Sequence, residues 1–248
     1  MNSQKPTVVL VHGAFAESAS WDGVIDRLHE LDIETIAVAN PLRSVAGDAA
    51  YVRDVIAGLG TPVLLVGHSY GGIVVTEAAA DNPAVVGLVY VAGFAPDHGE
   101  SASELSTHSP GSTLGEALTA YPLSSGGNEL TIRLDAFHDQ FAADVPLSVA
   151  RTMGRTQRPV TELALSEGLP TSSPAWQTLP SWFVFGELDR NIPAAELHLE
   201  AQRAGARGVN EVMGASHAVA VSRPYEVTST ILEALRELRT TGAAADAA

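Results

Sequence analysis

The sequence predicts an α/β protein with a mostly parallel central sheet flanked by helices, and three observations carry that prediction. Short β-branched runs recur without polar interruption, as strands buried on both faces require. Apolar stripes at helical spacing lie between them. One such strand run, Pro62-Val63-Leu64-Leu65-Val66, passes through Gly67-His68-Ser69-Tyr70-Gly71 directly into a helix-like run that begins at Gly72.

Thr7-Val8-Val9-Leu10-Val11 is the first strand, and Trp21, Val24, Ile25, Leu28 and Leu31 mark the helix after it. Ile33–Val38 reads as the second strand. The next helix carries Tyr51, Val52, Val55, Ile56 and Leu59, with Asp48 as the expected N-cap. Val63–Val66 and Val85–Val91 are strands on either side of a helix that runs from the glycine-serine turn to about Asn82. Strand and helix alternate, which implies right-handed crossovers between parallel strands.

The alternation stops after Phe94. The stretch to Leu179 is rich in Ser, Thr, Pro and Gly, with helix-like pieces at Asp135–Phe141 and Leu147–Met153 and no long buried strand. A structureless loop of that length is uncommon in a compact domain, so an inserted cap over residues 95–179 is expected. Phe137 and Phe141 are four apart and share one helix face, turned either to substrate or to the cap's own packing. The core then comprises 1–94 and 180–240. It resumes with Trp182–Phe185, a helix near Ala194–Ala204, the strand Gly208–Val212 and a last helix from Pro224 with Val227, Ile231, Ala234, Leu235 and Leu238 on its apolar side. Residues 241–248 read as a disordered tail.

A net charge of −15, from 29 acidic and 14 basic residues, argues against nucleic acid or a membrane surface as partner. With no cysteine, disulfides and thiolate catalysis are ruled out, and no metal or cofactor is expected. No apolar run approaches a membrane span, and Met1–Pro6 lacks the apolar segment of a signal peptide, so a cytoplasmic enzyme is the expectation. Oligomeric state is left open, a homodimer included.

Strand, Gly-x-Ser-x-Gly, helix resembles the nucleophile elbow of the α/β-hydrolases. The turn is so sharp that side chains at Gly67 and Gly71 would collide, and it lifts the Ser69 hydroxyl above the sheet at a helix N-terminus. A serine hydroxyl needs a base. In the resembling fold the order is serine, acid, histidine, which places the base after the last strand and before the final helix. His217, in Gly214-Ala215-Ser216-His217, stands there. His98, His108 and His138 fall in the cap, His198 in a surface helix, and His29 on a polar helix side. The acid belongs just beyond Trp182–Phe185, where Gly186-Glu187-Leu188-Asp189 offers Asp189, with Glu187 as the competitor. Oxyanion donors are expected from the backbone N–H of Tyr70 and from Ala14 or Phe15 in the loop His12-Gly13-Ala14-Phe15, which His12 shapes by hydrogen bonding.

Taken together, these motifs resemble the α/β-hydrolase superfamily along nearly the whole chain. The Val-His-Gly-Ala start and the run from His217 to Ser222 and Pro224 look like the capped methylesterase and hydroxynitrile lyase group. Bacterial arylesterase-like and haloperoxidase-like enzymes share the core motifs, whereas the dehalogenases and epoxide hydrolases of this fold place Asp where this chain has Ser69. The resemblance implies Ser69, Asp189 and His217 as a triad that cleaves small-molecule carboxylic esters through an acyl-enzyme. Lyase chemistry on the same triad and a receptor-like slow hydrolase are the alternatives. The lyases of that group follow the catalytic His with Lys and carry Thr at the place of Gly13, and this chain has Ala218 and Gly13 there.

Overall fold

Uninterrupted valine and leucine runs leave no polar edge for water, so they stack side by side. The computed structural model describes residues 5–245. The strands are β1 (Thr7–Val11), β2 (Thr35–Val38), β3 (Val63–His68), β4 (Val85–Val91), β5 (Leu118–Pro122), β6 (Asn128–Ile132), β7 (Val160–Thr161), β8 (Ser181–Gly186) and β9 (Gly208–Val212). Six of them form a parallel sheet in the order β2-β1-β3-β4-β8-β9. Val8–Val11 and Val63–Val66 are wholly buried at its centre.

The helices are α1 (Asp22–His29), α2 (Val45–Leu59), α3 (Tyr70–Ala79), α4 (Ala102–His108), α5 (Leu114–Ala117), α6 (Phe137–Phe141), α7 (Leu147–Thr156), α8 (Glu162–Ser166), α9 (Ala194–Arg203), α10 (Val219–Ser222) and α11 (Pro224–Ala245). Every residue of α3 is buried, consistent with a sequence that is apolar on nearly all sides. Ser44, not Asp48, caps α2: Ser44 has extended backbone and its side chain accepts the Gly47 N–H. Asp48 sits a turn further in, buried, where it accepts the Tyr70 hydroxyl at 2.8 Å. Leu31 lies beyond the end of α1 and is exposed, as is Tyr51 of α2, so neither belongs to an apolar stripe as the spacing implied. The last helix extends through Ala245, so residues 241–245 of the expected tail are helical; 246–248 lie outside the described residues.

Between β4 and β8 the chain leaves the sheet and builds α4 to α8 together with a small antiparallel sheet, β5-β6-β7. Its strands escape a search for apolar runs because β5 is almost entirely exposed. No helix among the described residues is long and apolar enough to cross a membrane.

The strand order places the site. The chain runs from β1 outward to β2, then returns to the other side of β1 as β3. The loops after β1 and β3 therefore diverge at the carboxyl ends of adjacent strands, where open α/β sheets hold ligands.

Candidate active site

Ser69 forms the corner between β3 and α3, with φ 54° and ψ −124°. A non-glycine residue in that region costs about 1–3 kcal/mol, so its surroundings must over-determine it. They do. Ser69 N–H donates to Ala92 O at 3.1 Å, while Ser69 O accepts from Gly72 N at 2.9 Å and Phe94 N at 3.2 Å. A Cβ on Gly67 would stand 2.6 Å from the Gly71 carbonyl oxygen, so no side chain fits there.

His217 lies in the loop after β9, its ring fully buried. Its Nδ1 is 2.6 Å from Asp189 Oδ2. The carboxylate is acceptor-only, so Nδ1 carries a proton, and in the neutral ring Nε2 presents a lone pair. The other oxygen, Asp189 Oδ1, accepts the backbone N–H groups of Asn191 at 2.8 Å and Ile192 at 2.9 Å. These bonds stop the carboxylate from turning away. Glu187 points elsewhere and accepts Gly214 N–H at 2.9 Å. The structure thus joins His217 to Asp189. No hydrogen bond joins His217 Nε2 to Ser69: that nitrogen is buried without a partner among the described residues, an arrangement that costs about 1–3 kcal/mol in a group with no role.

Ser69, Tyr70, Ala14 and Phe15 line one cavity of about 550 Å³ beneath the segment between β4 and β8. Phe94, Leu114, Leu118, Leu130, Leu165 and Ile192 give it an apolar lining. Phe15 adopts φ 61°, and its N–H donates to Arg158 O at 3.2 Å. His98, His108 and His138 do not line this cavity. Among the described residues, no group of three or more His, Asp or Glu is placed to hold a metal ion.

A model of the alpha/beta hydrolase family matches residues 8–230. The chain belongs to that family. It is 29% identical to the alpha/beta hydrolase nvfD of Aspergillus novofumigatus over 94% of this chain and 98% of that one. Polyneuridine aldehyde esterase is similar in structure, with a TM-score of 0.78 at 19% identity over 93% of this chain and 99% of that one. The methylesterase MES16 from Arabidopsis gives 0.77 at 16% identity, with the same coverage. The likeness places the fold beside methylesterase-type members.

The roles of His68 and Asp144 in this α/β-hydrolase site were not read from sequence, and Phe141 was read there only as facing substrate or the cap. His68 Nε2 donates to the His217 carbonyl at 3.1 Å, and its ring lies 4.7 Å from the His217 ring. Burial first, and the neighbouring His217 second, hold the His68 pKa well below the ordinary value, so it stays neutral. The Phe141 ring meets His217 edge-on at 5.0 Å, and Phe141 O accepts Ala218 N–H at 3.0 Å. Asp144 accepts both the N–H (3.1 Å) and the hydroxyl (2.5 Å) of Ser216. The chain between α6 and α7 therefore braces the His217 loop. His12 acts on its own loop, as its sequence position suggests: Nδ1 bonds Gly13 O at 2.9 Å, and burial depresses its pKa to about 4.

Proposed function

We propose that this α/β-hydrolase is a serine esterase that cleaves carboxylic esters of small molecules through Ser69, His217 and Asp189. The observation that carries the reading is the buried His217–Asp189 pair with its free Nε2 lone pair, in a site whose cavity is lined by a strained, helix-capping Ser69. In the reaction Nε2 takes the Ser69 proton as Oγ attacks the ester carbonyl. Asp189 stabilises the imidazolium and does not itself take the proton. The oxyanion is held by Tyr70 N–H and by Ala14 N–H, since Phe15 N–H is engaged by Arg158 O. His217 returns the proton to the leaving alcohol, then activates the water that frees the acid.

Lyase chemistry finds less support. The Thr that the resembling lyases carry has no room at Gly13, where a Cβ would stand 2.6 Å from Ser69 Cβ. No Lys or Arg lines the cavity to receive a departing cyanide. A leaving anion without such a partner costs several kcal/mol in a poorly hydrated pocket.

Turnover of p-nitrophenyl acetate together with fluorophosphonate labelling tests the reading. The parent protein should release p-nitrophenol and be labelled once, at Ser69. Ser69→Ala should lose both while keeping its melting temperature. Cyanide release from mandelonitrile should stay at the buffer rate. Undiminished ester turnover by Ser69→Ala would overturn the assignment.

A further inference from the structure

Part of the cavity wall is made of hydroxyl groups whose protons are directed back into the protein. Ser106 Oγ donates to Ser103 O at 3.0 Å and Thr107 Oγ1 to the same oxygen at 3.2 Å. Ser112 Oγ donates to Asn191 O at 3.0 Å, Thr113 Oγ1 to Gln140 Oε1 at 2.8 Å, and Ser166 Oγ to Glu162 O at 2.9 Å. All five line the cavity. A hydroxyl whose proton is used in this way offers a ligand only its lone pairs. The exposed residues Glu116 and Glu162 line the same space, Glu162 accepting Asn128 Nδ2 at 2.8 Å, and no Lys, Arg or His does. The guanidinium of Arg133 donates to the Glu116 carbonyl and pairs with Asp135. Against these acceptors, and apart from the N–H groups of Tyr70 and Ala14 beside Ser69, stand the amide of Asn191, whose oxygen accepts from Gln140 and whose NH₂ can donate, and the hydroxyl of Ser103, which shares a 3.3 Å contact with Ser101 Oγ. The charge of the whole chain, −15, adds to the same negative potential.

We propose that this cavity selects esters whose arm carries hydrogen-bond donors or an ammonium group, and rejects esters that carry a second, ionised carboxylate. The inference rests on the esterase reading for its reaction but on the wall alone for its selectivity. A carboxylate at this wall would face mostly lone pairs beside two acidic residues, and would lose hydration with few donors to replace it. An ammonium or hydroxyl in the same place replaces water with charge-assisted or neutral hydrogen bonds.

Four methyl esters of matched length separate the cases: methyl hexanoate, methyl 6-hydroxyhexanoate, methyl 6-aminohexanoate and monomethyl adipate. With kcat/KM read by pH-stat at pH 7, the hydroxy and amino esters should equal or exceed methyl hexanoate. Monomethyl adipate should fall at least about tenfold below it. The ratio of amino ester to adipate should narrow in the double variant E116Q/E162Q. Adipate turnover equal to or faster than that of methyl hexanoate overturns the proposal. A second arm does not depend on turnover: Ser69→Ala is titrated calorimetrically with hexylamine and with hexanoate. Tighter binding of hexylamine upholds the selectivity even if no ester is cleaved, in which case the esterase reading alone fails. Equal affinities, tighter hexanoate, or no binding of either overturns it.

Discussion

A carboxylate serves an imidazole only if it cannot turn aside. Asp189 is held by two backbone N–H groups on one oxygen, which leaves the other for His217 at 2.6 Å. Asn at this position would offer an NH₂ in place of an acceptor, or force the other tautomer on the ring. Asp189→Asn is therefore expected to lower kcat by about 10⁴, the size of effect seen when a triad acid is neutralised. Glu187 binds a backbone N–H away from the ring, and Gln can still accept that bond. Glu187→Gln should change kcat only a few-fold. Steady-state ester hydrolysis by the two variants checks the pair, and a reversal of their order would reassign the acid.

At the scale of elements, α6 matters more as a brace than as a wall. Its spacing left Phe137 and Phe141 open to substrate or to packing, and the structure decides for packing. Both are buried, stacked on each other at 5.1 Å, and absent from the cavity lining. Phe137 packs against Gly154 of α7, so a smaller residue leaves a void. Phe137→Ala should cost about 3–5 kcal/mol in urea unfolding, with the preference among ester lengths unchanged. Phe141→Ala should cost a similar amount and also lower kcat, since its ring and carbonyl support the loop of His217. A shift in ester-length preference without a loss of stability would restore the substrate-facing reading.

Across the whole molecule, two buried groups give stability opposite dependences on pH. Glu200 of α9 is buried, accepts Ala95 N–H through one oxygen and leaves the other unpartnered. Burial, its largest influence, pushes its pKa from 4.5 to about 8. The unfolded chain releases that proton near 4.5 and the folded chain near 8. Stability from this group is therefore lost as pH rises between those values. Burial lowers His12 from 6.5 to about 4, so its neutral form is favoured in the fold and stability is lost as pH falls through that window. Glu200→Gln keeps an acceptor for Ala95 and removes the titration. It should raise the melting temperature at pH 8, by about 2–4 °C for each kcal/mol recovered, and leave it unchanged at pH 4. Thermal unfolding across pH 4–9 checks this; a gain confined to acid pH would show that Glu200 is ionised in the fold.

The class of fold, the order of the core strands along the chain, and the positions of Ser69, Asp189 and His217 were legible because each depends on local sequence. A parallel strand needs an apolar run, a sharp turn needs Gly67 and Gly71, and the candidate residues follow strand ends. What escaped the sequence depends on contacts between segments far apart in the chain. Ser44 and Asp48 both suit a cap, and only the approach of Tyr70 shows that Asp48 is buried as its partner. Ala14 and Phe15 are equivalent candidates for the proposed oxyanion donor until Arg158, over 140 residues away, is seen to take the Phe15 N–H. The bracing of His217 by His68, Phe141 and Asp144 leaves no periodic signature. In the small sheet, β5 is almost entirely exposed and lacks an apolar run to mark it. Local propensity and burial pattern are written in neighbouring residues, whereas which donor meets which acceptor is settled only when the chain has closed on itself.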